Sequence, residues 1–444
     1  MSNKSIGNEP IYDARTLGTP RMLVLGFQHM FAMFGATVLV PTLTGLSISA
    51  TLLFAGLGTL LFHLLARGKV PAFLGSSFVF LAGYFAIAPN GERELLPYAC
   101  FGVMVAGLMY LVLAAFFKAF GMKKVMRFFP PIVTGPIIIA IGLSLSGSAV
   151  TNCGANWGIA LVAIAIVIGF NMWGRGMAKI IPILLGVVGS YLVAAVTGNV
   201  DFTAVKEAAW IGAPFEMQDT LFGLFSGDVD KNLLLTAVFT IAPLSLATMT
   251  EHIGDMCAIS STCERKYMED PGFHRTLMGD GLATALAAIF GAPANTTYGE
   301  NTGVLALSRV YDPLVIRIAA VIAIIFSFCP KFAALIASMP TATIGGVSLV
   351  LYGMISAVGV RNVVENKVDF TNTRNVIIAA LILVLAIGVH YTGNIQIPLG
   401  KVTITLTGLA MASIVGIALN AILPGKDYDF EQDHEGSTSV NFKV

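Results

Sequence analysis

Two long stretches of this 444-residue chain contain no Asp, Glu, Lys or Arg. They cover residues 22–66 and 128–174. Because a helix needs roughly 20 apolar residues to cross the hydrocarbon core of a bilayer, each stretch has room for two spans and a short turn. Hydrophobic residues make up 56% of the chain and charged residues 11%, well outside the usual composition of soluble domains. The sequence therefore predicts an all-α polytopic membrane protein.

The apolar segments divide into fourteen predicted spans, and the positions of the charges support that number. If the N-terminus lies in the cytoplasm, most of the 26 basic residues fall on the inner side, as the positive-inside rule requires. The exceptions, which fall outside, are Arg93, Lys206, Lys231, Lys331 and Lys401. We therefore expect both termini to be cytoplasmic. The predicted spans are 22–44, 49–66, 70–90, 95–117, 128–149, 156–174, 180–200, 232–258, 274–292, 295–309, 313–330, 339–360, 373–391 and 402–424.

Several classes of protein do not fit this sequence. Residues 1–21 are polar and have no apolar segment typical of a cleavable signal peptide, so we expect the first span to direct insertion. The net charge of +1 argues against a nucleic-acid partner. There is no GxSxG or HExxH motif and no Cys/His cluster, so we expect neither an enzyme nor a bound metal or cofactor. A channel would need rings of like charge, and no such pattern is present.

The chain also shows signs of an inverted repeat. The longest polar interval between spans, residues 201–231, lies near the middle and separates seven spans from seven. Because seven is odd, the second half must have the opposite orientation to the first. The segments Phe129–Pro136 and Met339–Gly346 both contain a proline followed five residues later by a glycine. Inverted repeats with interrupted helices are typical of secondary transporters.

Two of the predicted spans are interrupted by polar and small residues. The third contains LGSSFVF at Leu74–Phe80, and the tenth contains NTTYGEN at Asn295–Asn301. These are corresponding positions in the two halves. Their composition favours short extended segments, which are tolerated at membrane depth only where protein or a polar cavity satisfies the backbone. The alternative is a pair of helix kinks that only aid packing.

Four acidic residues lie inside predicted spans, where charge is costly and commonly functional. Glu251 and Asp255 are four residues apart on one helix and share a face, which makes the pair a candidate proton carrier because both carboxylates do not readily ionise together. Glu300 lies in the NTTYGEN segment. Asp280 is open to two interpretations, helix packing or a role near the site. The basic neighbours available to these acids are His29 and His252, each of which could equally be a packing residue.

These residue types favour a neutral, planar substrate. Carboxylates accept hydrogen bonds, extended backbone donates them, and Phe78 and Tyr298 offer aromatic faces. No Lys or Arg lies in the middle of a predicted span, since the arginines within the span bounds are all within five residues of an end. This disfavours a carboxylate or phosphate substrate. A nucleobase fits this set, with ring N–H groups donating to glutamate, carbonyls accepting from backbone and the ring stacked on an aromatic face.

The same segments resemble the nucleobase–ascorbate transporter family (nucleobase:cation symporter-2) over nearly the whole chain. The tenth-span signature of that family is matched by Glu300-Asn301-Thr302-Gly303 and ends at Ser308-Arg309, where serine replaces the usual threonine. The other matching segments are Gln28–Pro41, Gly68–Phe78, Thr250–Asp255, Asn295–Arg309 and Gly345–Gly353.

The resemblance implies a fold of fourteen spans in a 7+7 inverted repeat, with short extended segments interrupting spans 3 and 10. It implies a core domain of spans 1–4 and 8–11, a gate domain of spans 5–7 and 12–14, and frequently a homodimer. The corresponding ranges are an N-terminal tail 1–21, core 22–118 and 232–331, gate 119–200 and 332–424, an outer linker 201–231 and a C-terminal tail 425–444.

The resemblance also implies a function, which is uracil import by proton symport across the bacterial cytoplasmic membrane. Glu251 and Glu300 would hydrogen-bond the base, and backbone groups around Phe78, Tyr298 and Gly299 would bind its carbonyls. The acidic residue at position 300 favours uracil, because purine-selective relatives more often have glutamine there. Xanthine, uric acid or another nucleobase remains the alternative substrate. An anion exchanger with the same architecture is disfavoured by the acidic site.

The resemblance leaves the coupling ion less certain than the substrate. Proton coupling would involve Asp255, Glu251, Glu300 and His252. Some uracil permeases carry histidine at the position of Asp255, so the proton relay can differ here. Sodium coupling remains an alternative, because the same carboxylates could contribute to a sodium site.

Overall fold

The computed structural model describes residues 6, 9–175, 177–400 and 402–426, including all their side chains except those of Met177, Ile180, Glu300 and Leu399. The first half consists mainly of helices. They are α1 (Thr19–Thr44), α2 (Ile48–Leu65), α3 (Leu81–Ile87), α4 (Leu96–Phe120), α5 (Met122–Met126), α6 (Pro131–Cys153), α7 (Trp157–Trp173), α8 (Met177–Ile180), α9 (Pro182–Val196), α10 (Thr203–Glu207) and α11 (Leu221–Phe225), with strand β1 (Leu74–Ser76) before α3.

The second half follows the same plan. It contains α12 (Lys231–Ile241), α13 (Ser245–Thr262), α14 (Phe273–Ile289), β2 (Asn295–Thr297), α15 (Gly299–Ser308), α16 (Pro313–Ser327), α17 (Pro330–Ala337), α18 (Thr341–Glu365), α19 (Thr373–Tyr391), β3 (Ile395–Leu399), β4 (Val402–Leu406) and α20 (Gly408–Ile422). Short 3-10 turns occur at Ala14–Leu17, Met217–Asp219 and Ala242–Leu244, and a π turn at Met268–Gly272.

The helices and strands follow the order of the fourteen predicted segments. Within the described residues, seven helices are long and apolar enough to cross a membrane, or eight if α16 and α17, bent by 88° at their junction, form one span. The helices α7, α9 and α20 are apolar but shorter, at 10–17 residues. The third and tenth segments divide between a strand and a short helix, so neither contains a continuous helix of spanning length.

The structure refines the predicted segments at two places. The eighth lies within Lys231–Thr262, which has the length and composition of one span, but a short 3-10 turn containing Pro243 separates α12 from α13. The fourteenth segment does not begin as a helix at residue 402, because Val402–Leu406 is a strand paired antiparallel with Ile395–Leu399. The sequence VTITL contains four consecutive β-branched residues and alternates apolar side chains with threonine, which favours a strand even within an apolar run. This hairpin was not predicted.

The two interrupted segments form an antiparallel pair at the centre of the molecule, as the sequence predicts. Leu74 lies opposite Thr297, and Ser76 lies opposite Asn295. The Asn295 side chain donates to the carbonyl of Phe54 at 2.6 Å. All six strand residues are buried. The pairing and its polar neighbours therefore satisfy the extended backbone where water cannot.

Close helix crossings hold the two broken segments within the bundle. α4 meets α14 where Gly107 and Gly281 face each other, and a Cβ placed on Gly107 would lie 2.6 Å from the Gly281 carbonyl oxygen. α6 meets α18 in the same way, since a Cβ on Gly142 would lie 2.1 Å from the Tyr352 carbonyl oxygen. Small residues at such crossings let the backbones approach closely.

Candidate substrate site

The strand pair leads directly into the residues predicted to bind substrate. Strand β2 ends at Thr297, Tyr298 is the N-cap residue of α15, and α15 begins at Gly299. The first amides of a helix have no acceptor within the helix and attract carbonyl or anionic groups. The break in the tenth segment therefore places a helix N-terminus directly after the buried strand pair, at Gly299, which is itself exposed.

Tyr298 and Phe78 are both almost fully buried beside this break. The Tyr298 hydroxyl donates to the carbonyl of Ser76 at 2.8 Å, which braces the ring across the strand pair. The ring passes so close to β1 that a Cβ on Gly75 would lie 2.6 Å from it. The Phe78 ring meets the ring of Tyr352 on α18 edge to face, with centroids 5.5 Å apart. Both aromatic side chains predicted at the site are thus held in defined positions.

Helix α13 brings its acidic residues to the same place. The Thr297 hydroxyl donates to Asp255 Oδ2 at 3.0 Å, and a Cβ on Gly299 would lie 3.8 Å from Asp255 Oδ1. Glu251 lies one turn earlier on α13, and both carboxylates belong to partly exposed residues. The predicted proximity of the eighth and tenth segments is therefore present in the structure.

The prediction for Glu300 concerns a side chain that lies outside the described residues. Its backbone follows Gly299 in the first turn of α15. The sequence position alone therefore keeps Glu300 at the helix N-terminus that faces α13.

His252 does not share the exposure of its neighbours on α13, because its side chain is fully buried. Its Nδ1 lies 3.3 Å from Asp280 Oδ2 and 3.3 Å from the Thr297 hydroxyl oxygen. Its Nε2 lies 3.1 Å from the hydroxyl oxygen of Thr276, which donates its own hydrogen to the Phe273 carbonyl. Both ring nitrogens therefore lie within reach of side-chain oxygens on neighbouring segments.

This geometry assigns partners to residues that the sequence left open. Asp280, interpretable as either a packing or a site residue, is the buried partner of His252. Thr297 was not predicted as a site residue, yet its hydroxyl contacts both Asp255 and the His252 ring. The sequence signal available for Thr297 was its hydroxyl, which lies in the polar NTTYGEN segment next to the aromatic residue. Within the described residues, no group of three or more His, Cys, Asp or Glu side chains could hold a metal ion.

The second histidine predicted inside a span, His29, has a partner other than the acidic residues for which it was a candidate neighbour. His29 on α1 is fully buried, and the Asn301 amide donates to its backbone carbonyl at 3.1 Å and lies 3.2 Å from its Nδ1. His29 thus connects α1 to α15. Within the described residues, the side-chain hydrogen bonds of His29 are with Asn301 and not with the acids of α13.

On the opposite side, the linker between the two halves is held by ion pairs outside the spans. Arg93 donates to Asp219 at 2.5 and 2.8 Å and to Glu216 at 2.7 Å. Hydrogen bonds from Arg93 and Gln218 lower the pKa of Glu216. A cavity of about 280 Å³ at this point is lined by Arg93, Asp219 and Gly45 among others. It lies apart from the residues predicted to bind substrate.

Known proteins resemble this chain along most of its length. The sequence pattern of a family described as "Permease family" matches residues 20–395. The uracil permease of Bacillus caldolyticus is 41% identical over 97% of this chain and 99% of its own. The uracil permease of Bacillus subtilis is 39% identical, over 96% and 97%. That of Escherichia coli K12 is 36% identical over 90% of each chain.

Solved structures show the same architecture at low sequence identity. The transmembrane domain of the cyanobacterial bicarbonate transporter BicA superposes with a TM-score of 0.59 at 17% identity, covering 86% of this chain and 98% of that one. SLC26A9 superposes with a TM-score of 0.65 at 12% identity, covering 92% and 66%. These similarities confirm the 7+7 inverted-repeat fold. The matching family pattern and the relatives show that the chain belongs to the permease family of the nucleobase–ascorbate transporters (nucleobase:cation symporter-2).

Proposed function

We propose that this protein imports uracil by alternating access. The observation that carries the proposal is the meeting of α13 and α15 at the strand pair, where Asp255 lies beside Thr297 and Gly299. This meeting combines carboxylate acceptors, helix N-terminal donors and a fixed aromatic residue in one place. The names of the relatives, which are 36–41% identical uracil permeases, support the same substrate.

The chemistry of uracil matches these groups. Its ring N–H groups donate to Glu251 and Glu300, and its carbonyls accept from backbone N–H groups near Phe78, Tyr298 and Gly299. Hydrogen bonds to ionised carboxylates are roughly twice as strong as neutral ones. A neutral ring also leaves no net charge to compensate where no Lys or Arg is predicted in the middle of a span.

Movement of two domains would expose the site alternately to each side. The core comprises residues 22–118 and 232–331, and the gate comprises 119–200 and 332–424. The contact between Phe78 and Tyr352 joins a core residue to a gate residue beside the site, which supports this division. We further propose a homodimer in the bacterial cytoplasmic membrane with both tails, 1–21 and 425–444, inside; much of the second tail lies outside the described residues.

Protons are the proposed coupling ion. Glu251, Glu300, Asp255 and His252 are the residues proposed to carry them. The Thr297 hydroxyl supports this assignment, because it connects Asp255 at the site to the buried His252. A hydroxyl can accept a hydrogen bond on one side and donate on the other, so protonation at the buried pair affects the carboxylate next to substrate.

Competition of transport tests the substrate. Cells that produce the protein and lack their own uracil uptake should accumulate labelled uracil, and excess unlabelled uracil should abolish the signal. Xanthine, uric acid and hypoxanthine should compete weakly. Uptake that is blocked by a purine and indifferent to excess uracil would contradict the proposal.

A further inference from the structure

The short segment before the first span is packed against the protein. We define residues 9–18 as the N-terminal strap. Ile11 and Ala14 are fully buried and Leu17 nearly so, and they recur at every third position of an otherwise polar stretch. Asp13 accepts from the Arg15 amide and caps the 3-10 turn. The strap therefore has one apolar side and a defined local structure.

The strap is bonded to the inner end of α15. The Ile11 amide donates to the Arg309 carbonyl at 2.8 Å, and the Tyr311 amide donates to the Ile11 carbonyl at 2.8 Å. Ile11 and Val310 thus form a parallel bridge. The Ala14 amide donates to Asp312 Oδ2 at 2.8 Å. Asp312 is also the N-cap residue of α16, so the strap contacts both sides of the α15–α16 junction.

Tyr12 extends the same connection to α13. Its hydroxyl donates to the carbonyl of Cys263, the C-cap residue of α13, at 2.9 Å. Its ring lies 5.5 Å from the Tyr311 ring, and the Arg265 guanidinium lies 4.3 Å from its centroid. Burial raises the pKa of Tyr12, and Glu264 raises it further, so the hydroxyl remains a donor at neutral pH.

We propose that the N-terminal strap is a positioning element. It joins the inner ends of α13 and α15 and thereby fixes the distance between the site residues that these two helices carry. The proposal rests on the proposed function for its ligand. α15 has ten residues and is about 15 Å long, so a shift at Arg309 is transmitted along a short helix to Gly299. On α13, Asp255 and Glu251 lie about two and just over three turns before Cys263.

Two substitutions of one residue test the strap. Tyr12→Phe removes the hydrogen bond to Cys263 and keeps the ring, and Tyr12→Ala removes both contacts. The expected result is a uracil Kd raised about twofold to fivefold in the first variant and about tenfold in the second, following the net value of one hydrogen bond. Thr16→Ala is the control, because its hydroxyl bonds only within the strap, to the Asp13 carbonyl.

Hydrogen exchange gives a readout that does not depend on the ligand. In detergent-purified protein, Tyr12→Ala should exchange faster than the parent in peptides covering residues 258–265 and 299–312, and Thr16→Ala should match the parent. A weaker Kd accompanied by this local change supports the proposal. A Kd equal to that of the parent in both Tyr12 variants, with a lower melting temperature alone, would show that the strap only stabilises the fold.

The two proposals fail in different ways. If the parent protein does not bind uracil, the proposed substrate is wrong, and the hydrogen-exchange comparison still decides whether the strap holds the two helices. Exchange unchanged by Tyr12→Ala in both regions would overturn the strap proposal whatever the substrate. If the Ala variant misfolds, Tyr12→Phe still tests the proposal, because it leaves the buried Ile11 and the ring contacts in place.

Discussion

At the scale of single residues, the site depends on groups that act in pairs. Asp255 is held by the Thr297 hydroxyl at 3.0 Å, and His252 is held by Asp280 and Thr276. The sequence identified Asp255 and His252 as candidates from their types and spacing. It could not identify their partners, because His252 and Asp280 lie on different helices and no periodicity relates them. Pairing between helices requires the tertiary structure.

The two glutamates give the first prediction. Glu251→Gln and Glu300→Gln should each raise the uracil Kd by about tenfold or more, because an amide replaces an ionised acceptor and hydrogen bonds to charged groups contribute about 1.5–3 kcal/mol. Isothermal titration of purified protein with uracil measures this. Glu207→Gln, at an exposed position on α10, is the matched control and should bind as the parent does. A glutamate variant that matches the control would remove that residue from the site.

Thr297 gives the second prediction, which separates binding from coupling. Thr297→Val keeps the side-chain shape and removes the hydroxyl between Asp255 and His252. We expect the pH dependence of uracil uptake to shift while the Kd at pH 7 changes less than about threefold, because the lost hydroxyl contacts Asp255 and His252 and is not among the groups proposed to bind uracil. Thr297→Ser restores the hydroxyl and should restore the parental profile. A Val variant with the parental profile would exclude Thr297 from the coupling path.

At the scale of elements, the broken third and tenth segments were predictable and the β3–β4 hairpin was not. LGSSFVF and NTTYGEN contain glycine and clustered polar side chains, which conflict with a continuous span. VTITL lies in an apolar run, and only its β-branched residues and the alternation of apolar side chains with threonine distinguish it from a helix. The 3-10 turn between α12 and α13 was not predicted either, because one proline was the only sign of a break in an otherwise apolar segment.

Gly75 gives a prediction for the strand pair as an element. A Cβ at this position would lie 2.6 Å from both the Tyr298 ring and the Thr37 hydroxyl, so Gly75→Ala should displace the ring that covers β1. We expect at least a tenfold loss of uracil affinity, of the size typical for strain at a packed position (about 1–3 kcal/mol). Gly353→Ala on α18 is the control, since a Cβ there has no neighbour within 4 Å. Equal affinities in the two variants would show that the Tyr298 position is not needed.

At the scale of the whole molecule, the fold followed from charge-free stretches and from the bias of basic residues. Those features predicted fourteen segments in two inverted halves, and the similarity to BicA and SLC26A9 confirms that architecture. The same fold in a bicarbonate transporter shows that architecture does not determine the substrate. We propose that substrate choice lies in the residues around α13 and α15, where this chain has carboxylates.

The central claim is that the protein moves uracil against its gradient by coupling to protons. Proteoliposomes with an acidic exterior should concentrate labelled uracil, and a protonophore should collapse this accumulation. Replacing sodium with choline should leave uptake unchanged. Uracil retained only to the level of protein-free liposomes, or uptake that survives the protonophore and disappears in choline, would contradict the account.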